Sequence, residues 1–217
     1  MNKPELVFVV GCNAAGKSSF IRSRLYDLSD FEVIMTDVHK GRSKEVFQRA
    51  LDQKKNIVLE TVFNDSSFSL LIDTARDAGY LTSLIVLFLD SPTQSVERVA
   101  FRSLEQNGLP ITEGNVKINF NENFKNVANY FFYFDYSSFY YTGMTNKTTF
   151  VMGFQKSSLI EYRTSNLIYP QKFADYSYGN QRLGQEGYQI IKRNLNYALG
   201  EADEVKEVKG QRPRLRL

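Results

Sequence analysis

The stretch Gly11–Ser18 reads GCNAAGKS, which fits the pattern G-x-x-x-x-G-K-[ST], and the apolar run Leu6–Val10 leads directly into it. A β-branched, apolar run that ends at a glycine is typical of a strand buried on both faces of a parallel sheet. Residues 17–27 carry apolar side chains at helical spacing. A strand, a glycine loop and a helix in this order are the setting in which the pattern forms a phosphate-binding loop.

The chemistry of this loop follows from its residue types. Glycines let the backbone wrap a phosphate chain with its N–H groups pointing inward, and the start of a helix adds partial positive charge. Lys17 is expected to bridge the β- and γ-phosphates, and the Ser18 hydroxyl to bind Mg²⁺. The predicted ligands are therefore ATP (or GTP) and Mg²⁺. The predicted nucleotide-binding residues are Gly11, Asn13, Ala14, Ala15, Gly16, Lys17, Ser18 and Ser19.

Further strands and helices alternate along the chain. Strands are predicted at Phe31–Met35, Asn56–Thr61 and Leu84–Leu89, and helices at Lys17–Asp27, Glu45–Leu51, Ser67–Ala78 and Ser95–Glu105. This alternation predicts an α/β fold, a P-loop NTPase three-layer α/β/α sandwich with a mainly parallel sheet, similar to small-molecule kinases. Residues 1–200 are expected to form one domain, with ligands at the carboxyl ends of the strands.

The C-terminal part of the chain is rich in aromatic residues. Tyr130–Tyr141 holds nine aromatic residues in twelve and is interpreted as a fifth strand with its flank. These rings favour a sheet core, and a base-stacking platform is the alternative. Thr148–Phe154 is predicted as a sixth, edge strand and Gln185–Leu199 as a terminal helix. Residues 201–217 are expected to form a charged, flexible tail.

Composition excludes several classes of protein. A single cysteine and a single histidine, His39, in 217 residues rule out a disulfide framework and histidine-rich zinc sites. The absence of an 18-residue apolar run or a signal-peptide pattern predicts a cytoplasmic protein without a membrane span. The net charge of +3 arises in the last thirteen residues, without which 22 basic and 23 acidic residues remain. Nucleic acid is therefore not an expected partner.

Acidic residues follow the predicted strands where a phosphate chain would lie. Asp37 comes after the second strand and is the candidate general base, with a helix N-cap as the alternative. Glu60 and Thr61 close the third strand at the same edge, where a buried carboxylate needs a substrate, a magnesium ligand sphere or a cation. Asp90 ends the fourth strand before Ser91-Pro92, where helix capping is at least as good an interpretation.

Two arginines share one face of the predicted fifth helix. Arg98 and Arg102 are four residues apart, so their guanidinium groups lie on the same side. The fork geometry of the guanidinium suits phosphate oxygens, and a solvated charged face is the alternative. A guanine-specific GTPase is not indicated, because Asn146-Lys147-Thr148-Thr149 lacks the acid of the N-K-x-D motif. These features favour a compact phosphotransferase.

Taken in their order and spacing over residues 5–155, these motifs resemble the zeta-toxin family of P-loop kinases. The residues that carry the resemblance are Gly11–Ser18, Asp37, Glu60-Thr61-Val62, the helix Ser69–Tyr80, and Leu87–Pro92 followed by Glu97-Arg98-Val99. The resemblance implies an ATP- or GTP-dependent kinase acting on a sugar hydroxyl, with UDP-N-acetylglucosamine as the known type of substrate. An antitoxin-like protein is a candidate partner, whose existence the sequence does not show.

The resemblance assigns roles to single residues. It implies phosphate binding by Lys17 and Ser18, general base catalysis by Asp37 and phosphate clamping by the helix of Arg98 and Arg102. It also implies substrate contact in the region of Glu60 and Thr61.

The sequence departs from the family pattern in the lid, expected at about residues 98–125. Gln106-Asn107-Gly108 stands where relatives have Gly-Gly-His, and Asn119 stands where an arginine is expected. Lys117 is the candidate to replace that arginine at the substrate as a point charge, although it cannot clamp bidentately. Two hypotheses follow: a small-molecule kinase, or a nucleotide-binding module with a degenerate lid that acts through a protein partner. Nucleic-acid binding through the aromatic stretch is a third.

Overall fold

The computed structural model describes residues 3–39, 41–106, 111–143 and 147–200. Its strands are β1 (Glu5–Val10), β2 (Phe31–Met35), β3 (Asn56–Thr61), β4 (Leu81–Phe88), β5 (Tyr136–Tyr141), β6 (Thr149–Gln155), β7 (Ser158–Tyr162) and β8 (Tyr197–Ala198). They form one sheet in the order β2-β3-β1-β4-β5-β6-β7-β8. Neighbours from β2 to β5 are parallel, whereas β6, β7 and β8 each pair antiparallel with the preceding strand.

Helices connect the parallel strands and cover the sheet. They are α1 (Lys17–Arg22), α2 (Thr36–His39), α3 (Ser43–Asp52), α4 (Phe68–Asp77), α5 (Pro92–Gln106), α6 (Glu113–Tyr130), α7 (Ile168–Gly179) and α8 (Gln185–Lys192). The predicted α/β class with a mainly parallel sheet is confirmed. No helix in the described ranges is long and apolar enough to cross a bilayer.

The parallel register brings the candidate site residues to one edge of the sheet. Val10, the last residue of β1, pairs with Thr61 of β3, and Met35 of β2 pairs with Glu60 of β3. Gly11 and Asp37 follow the ends of β1 and β2 directly. The phosphate loop (Gly11–Ser18), Asp37 and Glu60 therefore all lie at the carboxyl edge, where ligands of open parallel sheets bind.

The core is formed by the fully buried β1 and by a cluster of aromatic rings. Phe131 and Phe139, both from the aromatic stretch, are 0% exposed. Phe131 contacts Phe154 of β6 at 4.9 Å between ring centroids, and Phe139 contacts Phe173 of α7 at 4.8 Å, both edge to face. Since these rings pack between the sheet and α7, the core interpretation of the aromatic stretch is confirmed.

Three predicted boundaries in the parallel half were wrong by three residues or more. The helix α5 begins at Pro92 rather than at Ser95. The first helix ends at Arg22 rather than at residue 27. The side chains of Ser23 and Arg24 both donate hydrogen bonds to the carbonyl oxygen of Phe20. In a longer helix this carbonyl would accept from the backbone N–H four residues later, so the side chains compete with continuation of the helix. β4 begins three residues earlier than predicted, at Leu81, whose N–H donates to the carbonyl of Pro4.

The helix α6 was not predicted at all. Its buried residues include Val116, Phe120 and Val127, which follow helical spacing, but asparagines occupy other buried positions of the same helix. The apolar pattern that marks a helix was therefore incomplete. Asparagine also has a low helix propensity, because its side chain competes with the helical backbone for hydrogen bonds. As α6 and a 3₁₀ turn take up Tyr130–Tyr133, only Tyr136–Tyr141 of the aromatic stretch is strand.

The antiparallel half differs most from the prediction. β6 is not an edge strand, because β7 pairs with it across a two-residue turn in which Lys156 has a φ of 54°. That turn lacks glycine, the usual sequence signal for a hairpin. The terminal helix ends at Lys192 rather than at residue 199, because Asn194 (φ 52°) forms a left-handed C-terminal cap. The helix α7 was also missed, and the predicted tail lies outside the described residues.

Candidate active site

The phosphate loop has the backbone that its glycines allow. A Cβ atom at Gly11 would lie 2.2 Å from the carbonyl oxygen of Leu87 in the neighbouring strand β4, so that only glycine fits there. Gly16 has a φ of 88°, and Ala14 has a φ of 57°, in the left-handed region that an alanine seldom adopts. The loop therefore wraps tightly between β1 and α1, with Ser18 half-buried and Ser19 exposed in the first turn of α1.

Lys17 is buried at the base of this loop. Its Nζ donates hydrogen bonds to the carbonyl oxygens of Gly11 (3.0 Å) and Cys12 (3.2 Å), and lies 3.8 Å from Oε1 of Glu60. Burial lowers the pKa of Lys17, while the negative charges of Glu60 and Asp37 act in the opposite direction. The ammonium group thus has a buried counter-ion in place before any phosphate arrives.

Glu60 has a buried carboxylate, and one of its two oxygens has no hydrogen-bond partner among the described residues. Its side chain is 4% exposed, and its Oε2 accepts no hydrogen bond from any described residue. Burial raises the pKa of Glu60, whereas the charge of Lys17 lowers it. Buried carboxylate oxygens are rarely left without a partner, and such an atom next to a phosphate loop is suited to an incoming ligand. Its neighbour Thr61 accepts a hydrogen bond from the N–H of Phe63 and so shapes the turn after β3.

Asp37 lies in the first turn of the short helix α2 and is exposed. Its negative charge raises the pKa of both Lys17 and Glu60, so these three groups are near one another. Arg42, not Asp37, precedes the following helix α3, so Asp37 is not the N-cap of α3. An exposed carboxylate beside a phosphate loop can meet a substrate hydroxyl that arrives from solvent.

Both predicted arginines of α5 approach the phosphate loop. The Nη1 of Arg98 donates to the carbonyl oxygen of Gly143 (2.5 Å), and its Nη2 lies 3.9 Å from the position of a Cβ atom at Gly16. Burial lowers the pKa of Arg98. Arg102 is exposed, and its positive charge lowers the pKa of Lys17 and of Glu60, so it lies within electrostatic range of that pair.

Lys117 is not brought to the phosphate loop by any contact that the structure shows. It lies on α6 and pairs with Glu113 one turn earlier, with both side chains largely exposed. Helical geometry puts Lys117 on nearly the opposite face of α6 from Asn119. The lid residues Asn107 and Gly108 lie outside the described residues.

Two polar contacts to the phosphate loop were missed in the sequence. Asn119 of α6, noted only as a missing arginine, donates from Nδ2 to Oδ1 of Asn13 at 2.8 Å. Ser95 of α5, which is fully buried, donates to the carbonyl oxygen of Asn13 at 2.8 Å. Asparagines 115, 119, 123 and 126 recur at helical spacing, and this repeat could have revealed the asparagine face. Ser95 gave no comparable signal.

The surroundings of Asp90 and Cys12 indicate structural roles for both residues. Asp90 caps a helix, as the capping alternative proposed, but the helix is α7: its Oδ1 accepts from the N–H groups of Ile168 and Tyr169, both at 2.7 Å. The Cys12 thiol is buried inside the phosphate loop, and burial raises its pKa. A thiol of this kind is unreactive while the loop is closed.

Comparison with known proteins agrees with this architecture. The zeta-toxin family model matches residues 29–131. The resemblance to the zeta-toxin family is confirmed. The match covers α6 and the candidate base Asp37, whereas the phosphate loop precedes it and the antiparallel strands follow it. A search among curated protein sequences finds no significant match.

Several solved structures share this fold at low sequence identity. A crystal structure of the AvrRxo1-ORF1:AvrRxo1-ORF2 complex with sulphate ions aligns with a TM-score of 0.59 at 11% identity, over 90% of this chain and 78% of that chain. The same complex with ATP gives 0.56 at 12% identity, with coverages of 90% and 78%. The PezAT toxin–antitoxin system of Streptococcus pneumoniae gives 0.52 at 11% identity, with coverages of 89% and 86%. At these identities the similarity concerns the fold.

Proposed function

We propose that this chain is a kinase that transfers the γ-phosphoryl group of ATP or GTP to a hydroxyl group of a small molecule. One observation carries the proposal: three groups meet at one edge of a parallel sheet. They are the phosphate loop with its lysine, a buried carboxylate with an oxygen that bonds to none of the described residues, and an exposed aspartate. Lys17 supplies positive charge to the phosphates, Arg98 and Arg102 flank them, and Asp37 is the only one of the two carboxylates that solvent reaches freely. Phosphoryl transfer needs these groups and little else from the protein.

These residues account for the proton and for the charge that move during the transfer. Asp37 takes the proton of the acceptor hydroxyl as its oxygen forms a bond to the γ-phosphorus. The bond between that phosphorus and the β,γ-bridging oxygen breaks, and the nucleoside diphosphate leaves. Lys17 and the two arginines stabilise charge on the oxygens of the transferred group.

The residues also fit a magnesium ion. The Ser18 hydroxyl is in the position that holds Mg²⁺ in phosphate loops, and the unpartnered Oε2 of Glu60 is an oxygen of the type that Mg²⁺ or its water ligands prefer. When bound, Mg²⁺ neutralises charge on the β- and γ-phosphates. Among the described residues, no group of three or more His, Cys, Asp or Glu side chains is arranged to hold a metal ion by itself.

The acceptor and the partner extend this proposal. The family resemblance suggests a UDP-amino sugar as the acceptor, bound in the region of Glu60 and Thr61. Lys117, predicted from the altered lid, is left out of this proposal because its side chain pairs with Glu113 on nearly the opposite face of α6 from Asn119. The solved relatives include a toxin–antitoxin system, which supports an antitoxin-like protein as a partner of this chain in the cytoplasm. A nucleotide-binding module without efficient transfer is the second candidate, and the neutral Asn119 in place of a lid arginine favours it.

A transfer assay separates the two candidates. Purified protein is incubated with Mg-ATP and a panel of nucleotide sugars and nucleosides, with Lys17→Ala as the blank. We expect transfer to at least one acceptor, and a loss of about 10²- to 10⁴-fold in Asp37→Asn with little change in ATP affinity. Asp77→Asn, an exposed aspartate at the end of α4, is the matched control. ATP binding without transfer to any acceptor would favour the binding module.

A further inference from the structure

Three asparagine side chains form a continuous hydrogen-bonded row across the site. Asn119 of α6 donates from Nδ2 to Oδ1 of Asn13, and its own Oδ1 accepts from Nδ2 of Asn64, each at 2.8 Å. Asn13 belongs to the phosphate loop, and Asn64 belongs to the β3–α4 loop (residues 62–67). Asn119 is thus a bridge between the loop that would hold the nucleotide and the loop beside Glu60.

The row has a direction, because a carboxamide has one oxygen that accepts and one nitrogen that donates. With its oxygen bound to Asn119, Asn13 keeps the hydrogens of its Nδ2, and Asn64 keeps its Oδ1. No described residue takes up either end of the row. Phosphate oxygens accept hydrogen bonds and substrate hydroxyls can donate them, so the two ends match a nucleotide on one side and an acceptor hydroxyl on the other.

The same face of α6 holds the β3–α4 loop in place. Asn123 donates to the carbonyl oxygen of Val62 (2.5 Å), and Asn126 donates to that of Phe63 (3.0 Å); both asparagines are buried. Phe63 has a φ of 57°, which is a rare conformation for an aromatic residue and requires support from its surroundings. These two asparagines fix the loop, which leaves Asn119 as the one member of the face that reaches the phosphate loop.

We propose that Asn119 is a positioning residue that couples nucleotide binding at the phosphate loop to the β3–α4 loop on the acceptor side. It orients the Asn13 carboxamide toward the phosphates and the Asn64 carboxamide toward the acceptor. The inference rests on the proposed function in so far as a nucleotide must bind the phosphate loop. Asn119 is half-buried and contributes little to the core, so its removal leaves the contacts of Asn123 and Asn126 intact.

The test compares Asn119→Ala with Asn121→Ala, which removes an exposed asparagine of the same helix. Mg-ATP affinity is measured by calorimetry, and hydrogen exchange of peptides covering residues 62–67 is measured with and without Mg-ATP. In the wild-type protein and in Asn121→Ala, we expect Mg-ATP to slow exchange in the β3–α4 loop. In Asn119→Ala, we expect the affinity to fall about two- to tenfold, the worth of one hydrogen bond, and the exchange response to disappear.

Two further variants separate the bonds of the row. Asn13→Ala should lower the affinity as Asn119→Ala does, and the double variant should lose no more than the larger single loss, since both changes remove one shared bond. Asn64→Ala should keep the affinity within twofold and lose only the loop response. Thermal unfolding checks that each variant is folded.

The outcomes distinguish the two proposals. If Mg-ATP binds Asn119→Ala and the β3–α4 loop responds as in Asn121→Ala, the coupling role is overturned while the kinase proposal stands. Fully additive losses in the double variant would also overturn it. If the wild-type protein binds no nucleotide, both proposals fail together.

Discussion

Replacement of Lys17 by methionine tests the buried ion pair beneath the phosphate loop. The Nζ to Oε1 distance of 3.8 Å corresponds to about 4 kcal/mol at an effective dielectric constant of about 20. Methionine keeps most of the volume and needs no solvation, but it leaves Glu60 buried without a counter-charge. We expect the free energy of unfolding of the nucleotide-free protein to fall by about 3 kcal/mol at pH 8.

The loss should depend on pH in a defined direction. The pKa of Glu60 is already raised by burial and rises further without Lys17, so the folded variant binds a proton more readily than the unfolded chain does. The Lys17→Met variant therefore keeps its stability at pH values below the pKa that Glu60 has in the unfolded chain. It loses this stability as the pH rises through the higher pKa that Glu60 has in the folded state. Between the unfolded and the folded pKa of Glu60, the free energy of unfolding of the variant rises by about 1.4 kcal/mol for each unit by which the pH is lowered.

Urea unfolding at pH 5 and pH 8 measures this effect. The double variant Lys17→Met/Glu60→Gln should regain most of the stability and lose the pH dependence. Lys125→Met is the control: its ion pair with Glu122 is shorter, at 2.9 Å, but exposed to solvent, and its loss should not change stability measurably. An equal loss for Lys17→Met at both pH values, or a double variant no more stable than the single one, would refute the reasoning.

Three smaller predictions concern packing and capping, each measured by urea unfolding. Gly11→Ala should cost more than about 3 kcal/mol because its Cβ meets a backbone oxygen. Gly114→Ala in α6 should instead stabilise by up to about 1 kcal/mol, because the new Cβ meets no atom within 4 Å beyond its chain neighbours and the backbone of its own helix. Asp90→Ala removes the cap of α7 and should cost about 1 kcal/mol; an unchanged stability would speak against that cap. Tyr169→Phe removes a buried hydroxyl that has no partner among the described residues and should stabilise by about 1 kcal/mol, and destabilisation would reveal an undetected partner.

The parallel half of the fold could be predicted because its signals are local. The buried run before Gly11, the lysine after Gly16 and the apolar strands that follow lie within short windows of sequence, and the sheet edge follows from strand direction. Because parallel strands end at the same edge of the sheet, Asp37 and Glu60 could be predicted to lie near each other. In each case neighbouring residues determine the local structure, so no long-range contact had to be known.

The other elements depend on contacts between distant residues. Asp90 caps a helix that begins 78 residues later, and no local pattern indicates such a partner. In α6, Asn123 and Asn126 satisfy carbonyl groups of the β3–α4 loop, so buried asparagines replace the apolar residues that would have marked a helix. Sequence patterns identified the apolar strands and helices of the parallel half, and missed the face of α6 that packs through carboxamides. They also missed α7, although its buried residues are mostly apolar or aromatic.

The burial of Cys12 has a practical consequence for experiments on this chain. It is the only cysteine in the sequence, and it lies 3% exposed inside the phosphate loop. Its rate of reaction with a thiol reagent therefore reports how often the loop opens, in the unmodified protein and without an introduced probe. A cysteine placed on the exposed face of α6 would react much faster, so that a fluorophore could be attached there selectively while the native thiol stays protected.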